Sequence, residues 1–445
     1  MYKTLDPFSE RLEAEYDLDT PFKVHQAVEG LCQGFEQWGG FSMQQRIDDL
    51  MRVKEQLLIR LPQLARLMSI EMGKPIGEGE AELQKSARLI EYYALHMDEI
   101  MGKLSDHGSQ ILPRGVILGI MPWNYPVWQV FRFAVPTLLM GNLVLLKHAP
   151  NVPQSALAIQ ALFESITPCI LKTVFVDHQQ VEQLIEDNRI AGVSFTGSVK
   201  TGTHVAQLAA KQLKPAVLEL GGSDAFIVTE SADLETVLDA AIKGRCYNAG
   251  QVCIAAKRFL IHEQLIDSFQ AGLMERLDAL KMGNPLDAET QMGPMARADL
   301  LDGLNSQVYK SIQMGAKLVY QKEFEYQTGH FYRPQILRNL TMDMPVLREE
   351  TFGPVFALLS FKDDDQCIRM ANHTVYGLGA SVWSQDLDQA QRYASQLEVG
   401  TVAINQNVGS DPAYPFGGWK QSGLGLELGI EGCRAFIKHK VLRGL

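Results

Sequence analysis

Leu143-Val144-Leu145-Leu146-Lys147-His148-Ala149-Pro150-Asn151-Val152-Pro153 reads as an uninterrupted apolar strand, a polar turn, and a proline at the first position of a helix running to about residue 165. The same cycle repeats downstream. Residues 173–176 form a strand before a short helix at 181–185, residues 192–195 a strand before a helix at 199–211, and residues 216–218 another strand. Strands that lack polar alternation and are separated by helices predict a parallel, doubly wound α/β sheet covered on both faces.

Upstream the pattern is helical. Thr20-Pro21 opens a helix whose Val24, Val28, Leu31, Phe35 and Trp38 share one face until Gly39-Gly40, and Ser42 with Gln45 forms a capping box for the next. Glu71-Met72-Gly73-Lys74-Pro75 interrupts the helices before a long amphipathic one ending near residue 101. Ile111-Leu112 and Val116-Ile117-Leu118 then flank a bend at Pro113-Arg114-Gly115, which predicts a hairpin. Beyond residue 224, Phe259-Leu260-Ile261 and a helix at 265–280 begin a second α/β domain.

At 445 residues the chain exceeds a single core, so two or three domains are expected. A formal charge of −11 argues against a nucleic-acid partner, which needs clustered Lys and Arg. No apolar run is long enough to span a membrane, and Lys3, Asp6, Glu10 and Arg11 leave no apolar core for a signal peptide. The six cysteines have neither CxxC nor CxC spacing, which predicts a reducing cytoplasm and no metal site.

Three stretches carry chemistry. Asn248-Ala249-Gly250-Gln251-Val252-Cys253-Ile254 places a thiol after a small, polar, irregular run; a buried structural cysteine is the plainer reading of that heptapeptide alone. Glu219 stands 34 residues earlier in Leu218-Glu219-Leu220-Gly221-Gly222, and Asn124 lies in Pro122-Trp123-Asn124-Tyr125-Pro126. A thiol nucleophile, a carboxylate able to activate water and an amide donor for an oxyanion form one set for acyl chemistry. No G-x-G-x-x-G occurs, but Phe195-Thr196-Gly197-Ser198 ends a strand just before a helix, where N–H groups and Ser198 could receive a phosphate. A plain N-cap is the alternative there.

These motifs, in this order, resemble the aldehyde dehydrogenase superfamily. The strings Pro122-Trp123-Asn124-Tyr125-Pro126-Val127-Trp128-Gln129-Val130-Phe131-Arg132-Phe133 and Leu146-Lys147-His148-Ala149-Pro150-Asn151-Val152 are similar to its shorter bacterial succinate-semialdehyde dehydrogenases. The resemblance implies a coenzyme domain over residues 1–98 and 114–220, a catalytic domain over 221–411, and oligomerisation elements at 99–113 and 412–445. The hairpin and the terminal segment 433–445 would pair between subunits of a homodimer or homotetramer.

For the chemistry, the resemblance implies that Cys253 attacks an aldehyde, Asn124 and the Cys253 N–H hold the oxyanion, and Glu219 activates the water that cleaves the thioester. NAD or NADP would be held by Trp123, Lys147, Gly197, Ser198, Leu220, Glu350 and Phe352. Pro150 stands where NAD-selective relatives often carry glutamate, so NADP is tolerated but not demanded. Arg132 matches a substrate-carboxylate arginine, the alternative being a structural ion pair. Tyr247 stands where other branches have a second arginine, and Ser410 could add a donor. The expected substrate is succinate semialdehyde, with glutarate semialdehyde slower. A thiol esterase, a CoA-acylating dehydrogenase and a catalytically silent relative are the competing classes. Phe133 replaces a lysine that links Glu219 to Glu427 in many relatives, which leaves the proton relay open.

Overall fold

Val116–Met121, buried at every position, forms the centre of the first sheet. The computed structural model describes residues 1–105, 109–325 and 328–443. The sheet order is Gly423–Leu424, Ala216–Glu219, Ile190–Thr196, Val116–Met121, Leu143–His148, Leu171–Thr173. All neighbours are parallel except the short Gly423–Leu424 edge. The chain winds from Val116–Met121 to one side and then returns to the other, so the strand order reverses beside that strand. A crevice opens at the C-terminal strand ends where such a reversal occurs. Trp123-Asn124 and Gly197-Ser198 stand at those two ends.

The second sheet runs Lys317–Gln321, Gln335–Arg338, Val355–Phe361, Ala256–His262, Asp224–Val228, Gly379–Trp383, Thr401–Ile404. It is parallel apart from its first edge. Each sheet has its own apolar core, so the expected two α/β layers are present. The predicted helix starts hold: Thr20 accepts from the Lys23 N–H, and the Ser42–Gln45 capping box is complete.

Three expectations are corrected. The strand expected at 173–176 is Leu171–Thr173, because Phe175 and Val176 leave the sheet to bond Asp19 and the Tyr2 hydroxyl. That N-terminal region, a Tyr2–Leu5/Leu12–Tyr16 hairpin, was not foreseen. Next, Ser109–Pro113 and Val116–Met121 do not form a hairpin. Gly115 at φ 137° redirects the backbone, and Asn142 Oδ1 accepts from the Arg114 and Gly115 N–H groups. Lastly, Ser109–Pro113 pairs antiparallel with Ile437–Val441 within one chain, where a pairing between subunits was expected. Asn142 Nδ2 also donates to the Phe436 carbonyl, tying that tail to the first sheet.

Candidate active site

Helix Leu234–Cys246 ends in a turn where Asn248, Ala249 and Gly250 all take left-handed angles, at φ 51°, 53° and 73°. For the two non-glycine residues this costs on the order of 1–3 kcal/mol each, and only dense support maintains it. The support is explicit. The Asn248 N–H donates to Glu78 Oε2 (2.8 Å), Asn248 Nδ2 to the Asn124 carbonyl (2.9 Å), and Gln251 Nε2 to the Asn248 carbonyl (3.0 Å). A Cβ on Gly250 would meet the Gly353 backbone at 2.6 Å, so that position also requires close approach. Lys257 Nζ donates to the Cys253 carbonyl from below.

The turn delivers Cys253 to a cleft of about 300 Å³. Trp123, Asn124, Gly197, Ser198, Leu220, Cys253, Glu350 and Phe352 all line it. Asn124 Nδ2 donates to the Gln251 carbonyl at 2.9 Å, which fixes its amide and leaves a second N–H for the cleft. Trp123 and Phe352 meet edge to face, with centroids 6.4 Å apart. Ser198 caps helix Val199–Lys211, accepting from the Thr201 N–H. Glu350 Oε1 accepts from the Gly222 N–H (3.0 Å), and a Cβ on Gly221 would lie 2.5 Å from Glu350 Oε2. Glycine at 221 is therefore what lets that carboxylate enter.

Burial pushes the Cys253 thiol up to about 11, with Lys257 and Arg132 opposing. Below that value the thiolate fraction grows tenfold per pH unit. Alkylation of coenzyme-free protein by iodoacetamide is thus expected to accelerate about tenfold per unit from roughly pH 7 to 10. A rate levelling off by about pH 8 would contradict this environment.

Glu219 is buried and sits behind the cleft rather than on its wall. Among the described residues its Oε1 has no hydrogen-bond partner, and it lies 3.2 Å from where a Cβ on Gly417 would be. Burial raises its pKa well above the usual carboxylate range, Arg132 opposes this, and Glu427 adds to it.

Arg132 is committed elsewhere than expected. It forms a buried ion pair with Glu427, Nε against Oε2, at angles short of hydrogen-bond geometry. Its guanidinium lies 4.9 Å from the Phe416 ring centroid, and it does not line the Cys253 cleft. The structural ion pair, not the substrate clamp, is what the geometry contains. The reason lies next door: Phe133 points its ring at Gly119, where a Cβ would collide at 2.1 Å. With a ring at 133, Arg132 supplies the cation that Glu427 needs. Burial pulls on its charge, but Glu427, Glu219 and Cys253 outweigh that and keep it protonated.

Lys147 lies one residue before the end of its strand with no carboxylate partner among the described residues, and burial lowers it to about 8. It does not line the Cys253 cleft, and Pro150 beyond it is exposed. Tyr247 stacks on Tyr125 and offers its hydroxyl only a long 3.5 Å bond to the Glu78 carbonyl. Ser410 accepts from Lys85 Nζ at 2.7 Å. Glu78, Lys85, Gln251 and Lys257 were not anticipated. A signal existed for Lys257, since charges inside the otherwise buried run Ala256–His262 need a reason.

The comparisons with known proteins agree with this arrangement. A model of the aldehyde dehydrogenase family matches residues 1–442. The chain is 42% identical over 421 residues to succinate semialdehyde dehydrogenase (NAD(P)+) Sad of Escherichia coli (strain K12), covering 93% of this chain and 91% of that protein. It is 38% identical over 450 residues to the succinate-semialdehyde dehydrogenase (NADP(+)) of Deinococcus radiodurans, covering 99% and 94%. The crystal structure of succinic semialdehyde dehydrogenase from Streptococcus pyogenes in complex with NADP+ superposes with a TM-score of 0.95 at 32% identity, covering 99% of each chain. With its fold, its cysteine turn and this match along nearly its whole length, the chain belongs to the aldehyde dehydrogenase family.

Proposed function

We propose that the protein oxidises succinate semialdehyde to succinate with NAD or NADP, consuming one water and releasing two protons. The observation that carries the reading is that Cys253 and a free Asn124 N–H open on one cleft, which continues to a helix N-terminus at Ser198. The curated relatives are succinate-semialdehyde dehydrogenases, which supports the substrate.

The cleft fits a dinucleotide. Its glycines admit close approach, Ser198 and the helix N-terminus suit a phosphate, and Glu350 offers a carboxylate for ribose hydroxyls. Trp123, Leu220 and Phe352 would enclose the nicotinamide end, and Lys147 the adenosine ribose. When bound, the coenzyme supplies the hydride acceptor.

The chain's own residues do the rest. The Cys253 thiolate adds to the aldehyde carbon, and the oxyanion accepts from Asn124 and from the Cys253 N–H. Loss of hydride leaves a thioester on Cys253. Glu219 takes a proton from the water that cleaves it, within reach of the Arg132 charge. Tyr247 and Ser410 flank the substrate on the side away from the nicotinamide. Reduced-nicotinamide absorbance with a panel of aldehydes is the test: succinate semialdehyde should give the highest kcat/KM, glutarate semialdehyde a lower one, and no turnover with either would reject the proposal.

Both coenzymes are expected to support turnover, because no acidic side chain follows Lys147. Pro150→Glu should shift the ratio of kcat/KM values toward NAD by repelling a 2′-phosphate. An unchanged ratio would move the discriminating contact away from this loop. A homodimer or homotetramer is also proposed, since Ile437–Val441 leaves Val441 65% exposed at a two-stranded edge. Among the described residues no helix is long and apolar enough to cross a membrane.

A further inference from the structure

A second cavity, of about 380 Å³, flanks the cysteine turn and is lined by Tyr125, Tyr247, Val252 and Ile254. Helix Ile76–Leu104 contributes one wall, presenting Glu82, Lys85 and Arg88. Asn407 and Gly409 are shared with a larger cavity that Ser410 lines, so the two spaces adjoin at the Lys85–Ser410 contact.

Lys85 is the unusual member. Its ammonium is part-buried, donates to the neutral Ser410 hydroxyl and lies 4.2 Å over the Trp128 ring. Among the described residues no carboxylate stands within ion-pair distance of it. Carboxylates do stand around it, none of them paired with it: Asp224 lines the same cavity and accepts from the Gly379 N–H. Glu82 pairs with Lys74 and accepts from the Val127 and Trp128 N–H groups, and Asp411 accepts from the Ala413 N–H of its own loop. Burial lowers Lys85 to about 8, and Arg132 and Arg88 push the same way against Glu82 and Asp411. A part-buried cation with no carboxylate at ion-pair distance is a site prepared for one.

We propose that Lys85, with Ser410 beside it, binds the far carboxylate of the aldehyde substrate and so selects ω-carboxylated aldehydes over neutral ones. This rests on the reading of the Cys253 site as that of an aldehyde dehydrogenase for succinate semialdehyde. It moves charge recognition from Arg132, which is sealed against Glu427, to a residue of the long N-terminal helix. The Trp128 ring and the Ser410 hydroxyl hold the ammonium in place before substrate arrives.

The test compares succinate semialdehyde with butanal, a neutral aldehyde of equal chain length, in wild type, Lys85→Met, Lys85→Arg and Ser410→Ala. Lys85→Met should lower the ratio of the two kcat/KM values by about 30- to 100-fold, mainly through KM for the charged substrate. Lys85→Arg should restore part of the ratio, and Ser410→Ala should lower it by about three- to tenfold. A second readout avoids turnover: succinate should slow alkylation of Cys253 in wild type but not in Lys85→Met. Equal losses for both aldehydes, with succinate protection retained, would overturn the proposal. If Lys85→Met does not fold, Ser410→Ala and Lys85→Arg decide it: an unaltered ratio in both overturns it. A wild-type enzyme that does not prefer succinate semialdehyde to butanal would instead reject the functional reading beneath it.

Discussion

Cys253→Ala is expected to abolish aldehyde oxidation and any ester hydrolysis together, a loss on the order of 10⁴-fold or more, because no other thiol lines the cleft. Glu219→Gln should behave differently. Acylation needs the thiolate, the oxyanion donors and the coenzyme but not Glu219, whereas hydrolysis of the thioester needs a base, so steady turnover should fall by about 10²- to 10⁴-fold. A burst of reduced coenzyme matching the enzyme concentration should precede the slow phase. Rapid mixing with absorbance detection reads both quantities. Full steady-state turnover in either variant would remove that residue from the mechanism, and a Glu219→Gln enzyme without a burst would place the base before acylation.

Arg132→Met should be the most destabilising of the site substitutions. It leaves the Glu427 carboxylate buried with the Ser194 hydroxyl as its remaining side-chain partner, at 3.2 Å. Removing one member of a buried pair costs about 3–5 kcal/mol, since the other charge is stranded. Denaturant unfolding should show that loss, and Arg132→Met/Glu427→Met should recover most of it, because an apolar pair of similar volume strands nothing. Turnover of charged and neutral aldehydes should fall alike in the single variant, since Arg132 bears on Glu219 rather than on the far end of the substrate. A selective loss of the charged substrate in Arg132→Met would return the clamp to that residue.

The sequence was most legible where local rules act alone. The helix beginning at Pro21 and the capping box at Ser42 depend on side chains within one turn, and both stand where the residues predicted. The doubly wound sheet followed from apolar runs too short and too regularly spaced to be anything else. Long-range pairing was less legible. Only the resemblance, and no local rule, pointed Ser109–Pro113 to the terminal segment more than 300 residues away, and the bend at Gly115 looks locally like a hairpin turn. Within the site, the residues facing the cleft were found through motif order. For Arg132 two readings stood open, and the ion pair with Glu427 is the one its geometry contains, beside a Phe133 ring packed against Gly119. Lys85 escaped notice altogether: one lysine on an amphipathic helix reads as solvated until the loop holding Ser410 covers it.

The edge strand Gly423–Leu424 has a bearing on how Glu219 is kept from water. It pairs with Leu218 and Glu219, while the Ser422 carbonyl accepts from Leu220 and its hydroxyl donates to the Gly221 carbonyl. The surroundings of Glu219 are thus supplied by a segment far along the chain, Ser422 standing 201 residues beyond Gly221. Enclosure of that carboxylate is therefore a late-docking, long-range event, separable from the local turn that holds Cys253. Proteolytic nicking ahead of Gly423–Leu424 should leave the thiol presented and Glu219 open to water.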